Sequence, residues 1–400
     1  MGCAPVKGIA VKKAEFLIEE LRVHESGVTC LAISEDKSLL VTGTESGIAI
    51  MWSAFSQTAE SLGKLVGHTG AITCCVVHER FVITGSMDST IRKWSIESGM
   101  CLFTYRGHTS SYDKTAKAWT LQEQEMNEPT ACLRTFKGHS KSVYPIVFVP
   151  FDKSLSRGKI SERDLIITGS ADFSIKIWSF AHSECLKTLL GHTAPIHSLE
   201  LEPMNKKHIF STGADGIIIC WDFITGENLR ELKAHVGAVL CTAVHKRMLY
   251  SGSSDRTVRA WVMEFGECTR VYVGNSAAVS SLQYYNGLVC VGLCDGIAHL
   301  FDAKSGTLKR TFEGHSESIT GLQVSEKRTN QLNKKNKYSQ VVPGKMFTTC
   351  ASGKMCVWDI SGLKEETVFG SKLAKEGETV DEDCEAVKEA IRVIDYFLRR

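Results

Sequence analysis

Four histidines in this 400-residue chain are each followed by a hydroxyl residue and then an aspartate: His68, Thr84 and Asp88; His139, Thr168 and Asp172; His192, Ser211 and Asp215; His235, Ser251 and Asp255. Those residue types could do nucleophilic chemistry, with the imidazole as base for the hydroxyl and the carboxylate orienting the ring. A triad of that kind occurs once per site, whereas these sets recur along the chain at a structural period. Repetition moves the reading from catalysis to hydrogen bonding, and no residue is assigned a catalytic role. The fifteen cysteines form neither a CxxC pair nor a Cys/His ladder, so no metal ligand and no cofactor are expected. Cys30, Cys74, Cys75, Cys220, Cys241, Cys290 and Cys356 lie inside apolar runs, where a free thiol behaves as a small buried hydrophobe. A chain of this length has no need of a disulfide framework, which points to a reduced, intracellular setting.

A second chemistry is offered by the N-terminus. Met1-Gly2-Cys3 resembles the start of dually acylated proteins, with myristate on Gly2 and palmitate on Cys3. The motif wants a hydroxyl at position six, where Val6 stands, so an ordinary N-terminus is the stronger expectation. Formal net charge is +2, so no global field favours nucleic acid or acidic lipid. No run of 18 apolar residues is present, and the first residues lack the apolar core of a secretory signal. The expected compartment is the cytoplasm, with membrane contact only if the N-terminus is acylated.

The residues above sit on a unit that recurs eight times. Each copy opens at Gly-His or a relative, passes a small-residue turn carrying Asp, and closes at Trp or, once, at Phe301. His68 to Trp94 and His235 to Trp261 are each 26 positions apart. Between the histidine and the turn lie two apolar runs, such as AITCCVV and FVITG, that read as strands buried on both faces. An alternating strand (STIRKW) and a more polar one (CLFTYR) follow. Four-stranded units at a period of roughly 40 residues predict a β-propeller, one blade per repeat. Residues 14–24 read as an outer strand with no blade before it, and the eighth copy ends at Trp358 without an outer strand. The first strand of the chain is therefore expected to complete the last blade. Insertions near 151–163 and 325–345 fall between first and second strands and are expected to be loops on one rim. The second is basic but interrupted, which reads as a solvated loop.

The third copy is defective. From His108 to Trp119 is 11 positions, so two inner strands are missing while the turn Asp113 and the two outer strands remain. Either seven full blades close the ring and the remnant hairpin rides outside it, or the chain is a skipped-exon product or a faulty gene model. The clean junction favours the second. Losing about eight buried apolar side chains, at roughly 1.5–3 kcal/mol each, predicts poor folding.

The GH…D…W frame resembles the WD-repeat (WD40) family over about residues 15–362. The resemblance implies an all-β WD40 propeller: an eight-repeat pattern with seven near-complete blades and a truncated third repeat. It also implies a hydrogen-bonded chain from the histidine through the Ser or Thr and the Asp to the Trp. The frame is complete in four copies: His68, Thr84, Asp88, Trp94; His139, Thr168, Asp172, Trp178; His192, Ser211, Asp215, Trp221; and His235, Ser251, Asp255, Trp261. Copy one has Ser46 and copy eight Ser352 in the Asp place, and copy seven has Asn275 for the histidine. Relatives that act as substrate receptors of ubiquitin ligases carry a Trp-Asp-x-Arg/Lys box, which Phe301-Asp302-Ala303-Lys304 approaches with the wrong aromatic.

The implied function is a non-catalytic scaffold, expected to be a monomer, that binds other proteins or peptides. Lipid-anchored adaptor and ubiquitin-ligase substrate receptor are the alternatives. The mouth formed by the loops before each first strand and by the Asp turns is small-sided and nearly uncharged. Met87, Tyr144 and Lys141 are the residues there suited to a partner. Outside the ring we expect a flexible N-terminus over 1–13, a linker over 363–379 and a C-terminal amphipathic helix over 380–400, with Val387, Ile391, Ile394 and Leu398 on one face.

Overall fold

The structure is a computed structural model that describes residues 16–22, 24–54, 60–107, 113–120, 132–150, 164–203, 206–325, 328–329, 340–341 and 344–360. The expected terminal segment 1–13, the linker and the C-terminal helix, and the first insertion at 151–163, lie outside these residues. Within them every regular element is a β-strand. The strands form seven four-stranded antiparallel sheets, one two-stranded sheet, and a two-residue ladder (Arg328–Thr329 with Gln340–Val341) inside the second insertion.

Blades are numbered here by their repeat. Blade two shows the pattern: Ile72–His78, Phe81–Ser86, Thr90–Ser95 and Cys101–Arg106 pair in sequence order from the axis outwards. Its two inner strands are the apolar runs seen in the sequence. Residues facing one way meet the preceding blade and residues facing the other way meet the next, because side chains alternate along a strand. Ile72, Val82 and Trp94 accordingly share a core with Leu39, Val41 and Met51 of blade one. The inner strands pack one on the next in the order Val143–Val149, Ile196–Leu201, Val239–His245, Val279–Tyr285, Ile319–Ser325, Val28–Ile33 and Ile72–His78, with the remnant of repeat three lying between the last blade of that series and the first.

Blade eight is completed from the other end of the chain. Leu17–Arg22 pairs antiparallel with Lys354–Asp359, Leu17 opposite Trp358 and Arg22 opposite Lys354. The Asp359 amide donates to the Phe16 carbonyl at 2.9 Å, and the Arg310 guanidinium lies 3.8 Å from the centre of the Phe16 ring. Met355, Val357 and Trp358, which would otherwise form an open edge, are buried.

The remnant of repeat three does not ride outside the ring. Thr115–Trp119 and Cys132–Lys137 form a two-stranded sheet wedged between blades two and four. Ala116, Ala118 and Phe136 pack on Val143, Phe148, Ile166 and Trp178 of blade four. Trp119 packs on Ile91 and Tyr105 of blade two. The remnant therefore fills the outer half of a blade position, and its two buried faces explain why it stays there. A second departure from expectation follows from the first. Cys74 is exposed, because the face of blade two that carries it has no inner strand of repeat three against it.

Candidate functional site

The recurring His, Ser/Thr, Asp and Trp side chains come together at one end of each blade. In blades two, four, five and six the indole Nε1 of Trp94, Trp178, Trp221 and Trp261 donates at 2.8 Å to the hydroxyl of Thr84, Thr168, Ser211 and Ser251. That hydroxyl lies 2.7–2.8 Å from Nε2 of His68, His139, His192 and His235. Nδ1 of the same rings lies 2.8–2.9 Å from an oxygen of Asp88, Asp172, Asp215 and Asp255. One proton arrangement satisfies every atom. The indole donates to the hydroxyl, the hydroxyl to Nε2, and Nδ1–H to the carboxylate.

The carboxylate does further work in the turn. Asp88 accepts from the backbone amides of Thr69 at 3.0 Å and Thr90 at 2.8 Å, tying the loop before the first strand to the turn after the second. Burial alone would raise the Asp88 pKa. The bonds from Thr90, His68 and the two amides outweigh it and hold the carboxyl well below the usual carboxylate range. Burial lowers the pKa of His68, His139 and His235, while the facing aspartate pulls back upward. The residue after the aspartate lies in the left-handed region. It is Ser89, Phe173 and Arg256 in three blades and Gly216 in blade five. The hydroxyls that would have to attack a substrate, on Thr84, Thr168, Ser211 and Ser251, are fully buried, so this geometry cannot present a nucleophile.

Three copies depart in compensated ways. Blade one keeps the inner part of the chain, with Trp52 Nε1 donating to Thr42 at 2.9 Å and His24 Nε2 at 2.8 Å from the same hydroxyl. Blade eight does likewise, with Trp358 and His315 each 2.7 Å from Thr348. In both, Ser46 and Ser352 replace the aspartate and turn instead to Thr44 and Cys350. With no carboxylate on Nδ1, burial drives the His24 and His315 pKa down to about 4. Blade seven has apolar Val291 and Phe301 where the hydroxyl and indole stand elsewhere. Asn275 there bonds His299 Nδ1 at 2.9 Å and the Arg256 carbonyl at 2.9 Å.

The rim that carries these turns also carries the candidate partner residues. Met87 is 65% exposed and Tyr144 42% exposed, and the Lys141 ammonium lies 5.0 Å from the centre of the Phe173 ring. Val236, 94% exposed, lies in one of the same mouth loops and stands out there, since Thr69, Ser140, Thr193 and Ser316 are hydroxyl residues at that place after the histidine. Asp302 of the Phe301-Asp302-Ala303-Lys304 stretch is buried and accepts from the amides of Lys304 and Ser305 in its own turn. Gly2 and Cys3 lie outside the described residues. Among the described residues no helix is long and apolar enough to cross a membrane, and no group of His, Cys, Asp and Glu is placed to hold a metal ion.

A family model described as "WD domain, G-beta repeat" matches residues 16–53, 59–95, 130–179, 183–222 and 226–261. The nuclear distribution protein PAC1 of Arthroderma otae is 30% identical over 186 residues, covering 41% of this chain and 38% of that protein. The WD repeat-containing protein pop2 of Schizosaccharomyces pombe is 27% identical, covering 44% and 29%. The chain spans well under half the length of the curated relatives it matches. Among solved structures, Sqt1 of Saccharomyces cerevisiae superposes with a TM-score of 0.73 at 16% identity, covering 86% of this chain and 98% of that one. The computationally designed protein Ika8 superposes with a TM-score of 0.70 at 24% identity, covering 86% and 100%. At these identities the likeness speaks for the fold alone.

Proposed function

This chain belongs to the WD-repeat family, and from that premise we propose that it is a non-catalytic scaffold that holds segments of other proteins on the rim of the ring. The observation that carries the reading is the exposure of Met87, Tyr144 and Val236 on a rim whose backbone is pinned by buried carboxylates. Such residues offer apolar contact area without the ordering cost that a flexible loop would add. The neighbouring rim residues are small and mostly uncharged, which suits an extended peptide rather than a phosphate or a nucleic acid. In this reading the protein works in the cytoplasm as a monomer, with partners bound one segment at a time.

The test is a comparison of partners retained by the full chain and by the Met87→Asp, Tyr144→Asp, Val236→Asp variant, scored by quantitative mass spectrometry. All three positions are exposed, so the variant should fold, which circular dichroism checks. Loss of at least tenfold in one or more retained proteins is expected. A partner list unchanged by the three substitutions would refute the rim as the binding surface.

A further inference from the structure

The face of blade two that looks toward the remnant is built like its counterparts elsewhere but lacks their cover. Val41 of blade one is fully buried by blade two, while the equivalent Ile83 is only partly covered and Val76 is 40% exposed. At Gly43, Gly169, Gly252 and Gly292 a Cβ would strike the first-strand Ile72, Ile196, Val279 or Ile319 of the next blade, at 2.5–2.8 Å. At the equivalent Gly85 it would meet only Cys74 of its own blade. Hydroxyls repeat the contrast. Thr29 and Ser280 each donate both to a carbonyl of their own blade and to one of the next blade, Ile72 and Ile319. Thr73 reaches only its own Gly85 carbonyl, at 3.3 Å.

The other wall of the slot is the remnant itself. Thr115–Trp119 pairs with Cys132–Lys137 on its outer side, and no described strand pairs with its inner edge. Six of the seven tryptophans give their indole N–H to a serine or threonine on the strand just inside them. The seventh, Trp119, is 9% exposed, and its Nε1 is buried with no partner. A buried donor left unmade is costly, and it marks where an acceptor belongs.

We propose that this slot binds an extended segment of a partner protein. The segment enters as the missing second strand, pairs its backbone with Thr115–Trp119, and places a serine or threonine hydroxyl on Trp119 Nε1. Its chemistry is set by what surrounds it. A hydroxyl residue is flanked by uncharged residues that cover Ile83 and Val76, as in the segments ITG and YSG of the chain's own second strands. Strand addition to an open sheet edge is a known mode of peptide recognition, in which main-chain bonds supply affinity and alternate side chains supply choice. The proposal deepens the scaffold reading and rests on it. It is tested by a defined peptide rather than by retained partners, so failure here and failure at the rim are separate results.

The probe is a synthetic peptide copying residues 164–171, DLIITGSA, which in blade four supplies Thr168 to Trp178. Its partner probe carries valine in place of that threonine. Both are titrated into the full chain with 15N-labelled tryptophan, and indole N–H exchange is followed by NMR. The threonine peptide should slow exchange at Trp119 alone and bind at least tenfold more tightly than the valine peptide. With Trp119→Phe the two peptides should bind alike. Phe301 already occupies that place in blade seven, so the variant should fold. Equal binding of the two peptides to the unaltered chain, or no change at Trp119 at saturation, would overturn the proposal. So would a Trp119 indole already protected without peptide. In that case a doubled mass in solution would identify a second copy as the occupant, and a monomer would place the occupant within this same chain.

Discussion

Thr84→Val removes the hub of one relay without changing its shape. Thr84 is fully buried, receives the Trp94 indole at 2.8 Å and lies 2.7 Å from His68 Nε2. Valine leaves that donor and that ring nitrogen without partners, each costing about 1–3 kcal/mol when buried. The added methyl recovers part of this, so a net loss of about 2–5 kcal/mol is expected. That is a large share of the roughly 5–15 kcal/mol that stabilises an ordinary domain. The assay is urea unfolding followed by fluorescence, with amide exchange to show that blade two opens first. A second arm grafts blade seven's solution onto blade two through His68→Asn, Thr84→Val, Arg92→His and Trp94→Phe, after Asn275, Val291, His299 and Phe301. The four changes together should cost less than the sum of the four made singly, because each removes a group that another would leave unsatisfied. A Thr84→Val chain within about 0.5 kcal/mol of the parent would refute the argument that the relay holds the blade.

Two further outcomes follow. Removing residues 1–22 strips the strand that pairs with Lys354–Asp359, along with the Phe16–Arg310 contact. At about 1 kcal/mol for each ladder bond plus burial of Leu17 and Leu21, a loss of roughly 5–8 kcal/mol is expected. Thermal melting should show it, a peptide of residues 14–24 should reverse it, and an unchanged melt would contradict the closure described above. Ser352→Asp supplies the carboxylate that blade eight lacks. His315 has its folded pKa lowered to about 4 from 6.5, so its contribution is fully present above pH 6.5 and is lost as pH falls toward 4. The full loss is about 3 kcal/mol, at 1.36 kcal/mol per pKa unit. The aspartate should raise the His315 pKa and flatten this acid loss in melts taken between pH 4 and 7. A pH dependence identical to that of the parent would argue against the missing carboxylate as what leaves burial unopposed at His315.

The ring was readable because two periods are superposed in the sequence. The short apolar run FVITG and the alternation of STIRKW mark strands, and the 26-residue step from histidine to tryptophan marks blades. The closing strand was readable too, since a lone outer strand at one end and a missing one at the other can only be the same position. What the pattern could not carry is coverage, which depends on the neighbouring blade rather than on the strand itself. Cys74 has the same apolar context as Cys30, yet it is exposed because the strands that would cover it are absent. Lys93 shows the converse, a charged residue buried with its ammonium 3.8 Å from the centre of the Phe81 ring. The remnant's placement was missed for a related reason. Its outer strands, Thr115–Trp119 and Cys132–Lys137, keep apolar residues on both faces, and those faces are satisfied only between two blades.

Because Leu17–Arg22 lies against Lys354–Asp359, whatever is joined ahead of residue 16 and whatever follows residue 360 depart from the same blade. Adjacent strands are about 4.8 Å apart, so the two exits begin as near neighbours. Attachments at opposite ends of the polypeptide are thereby held at high local concentration, and a reporter split between them should reassemble without help from any ligand.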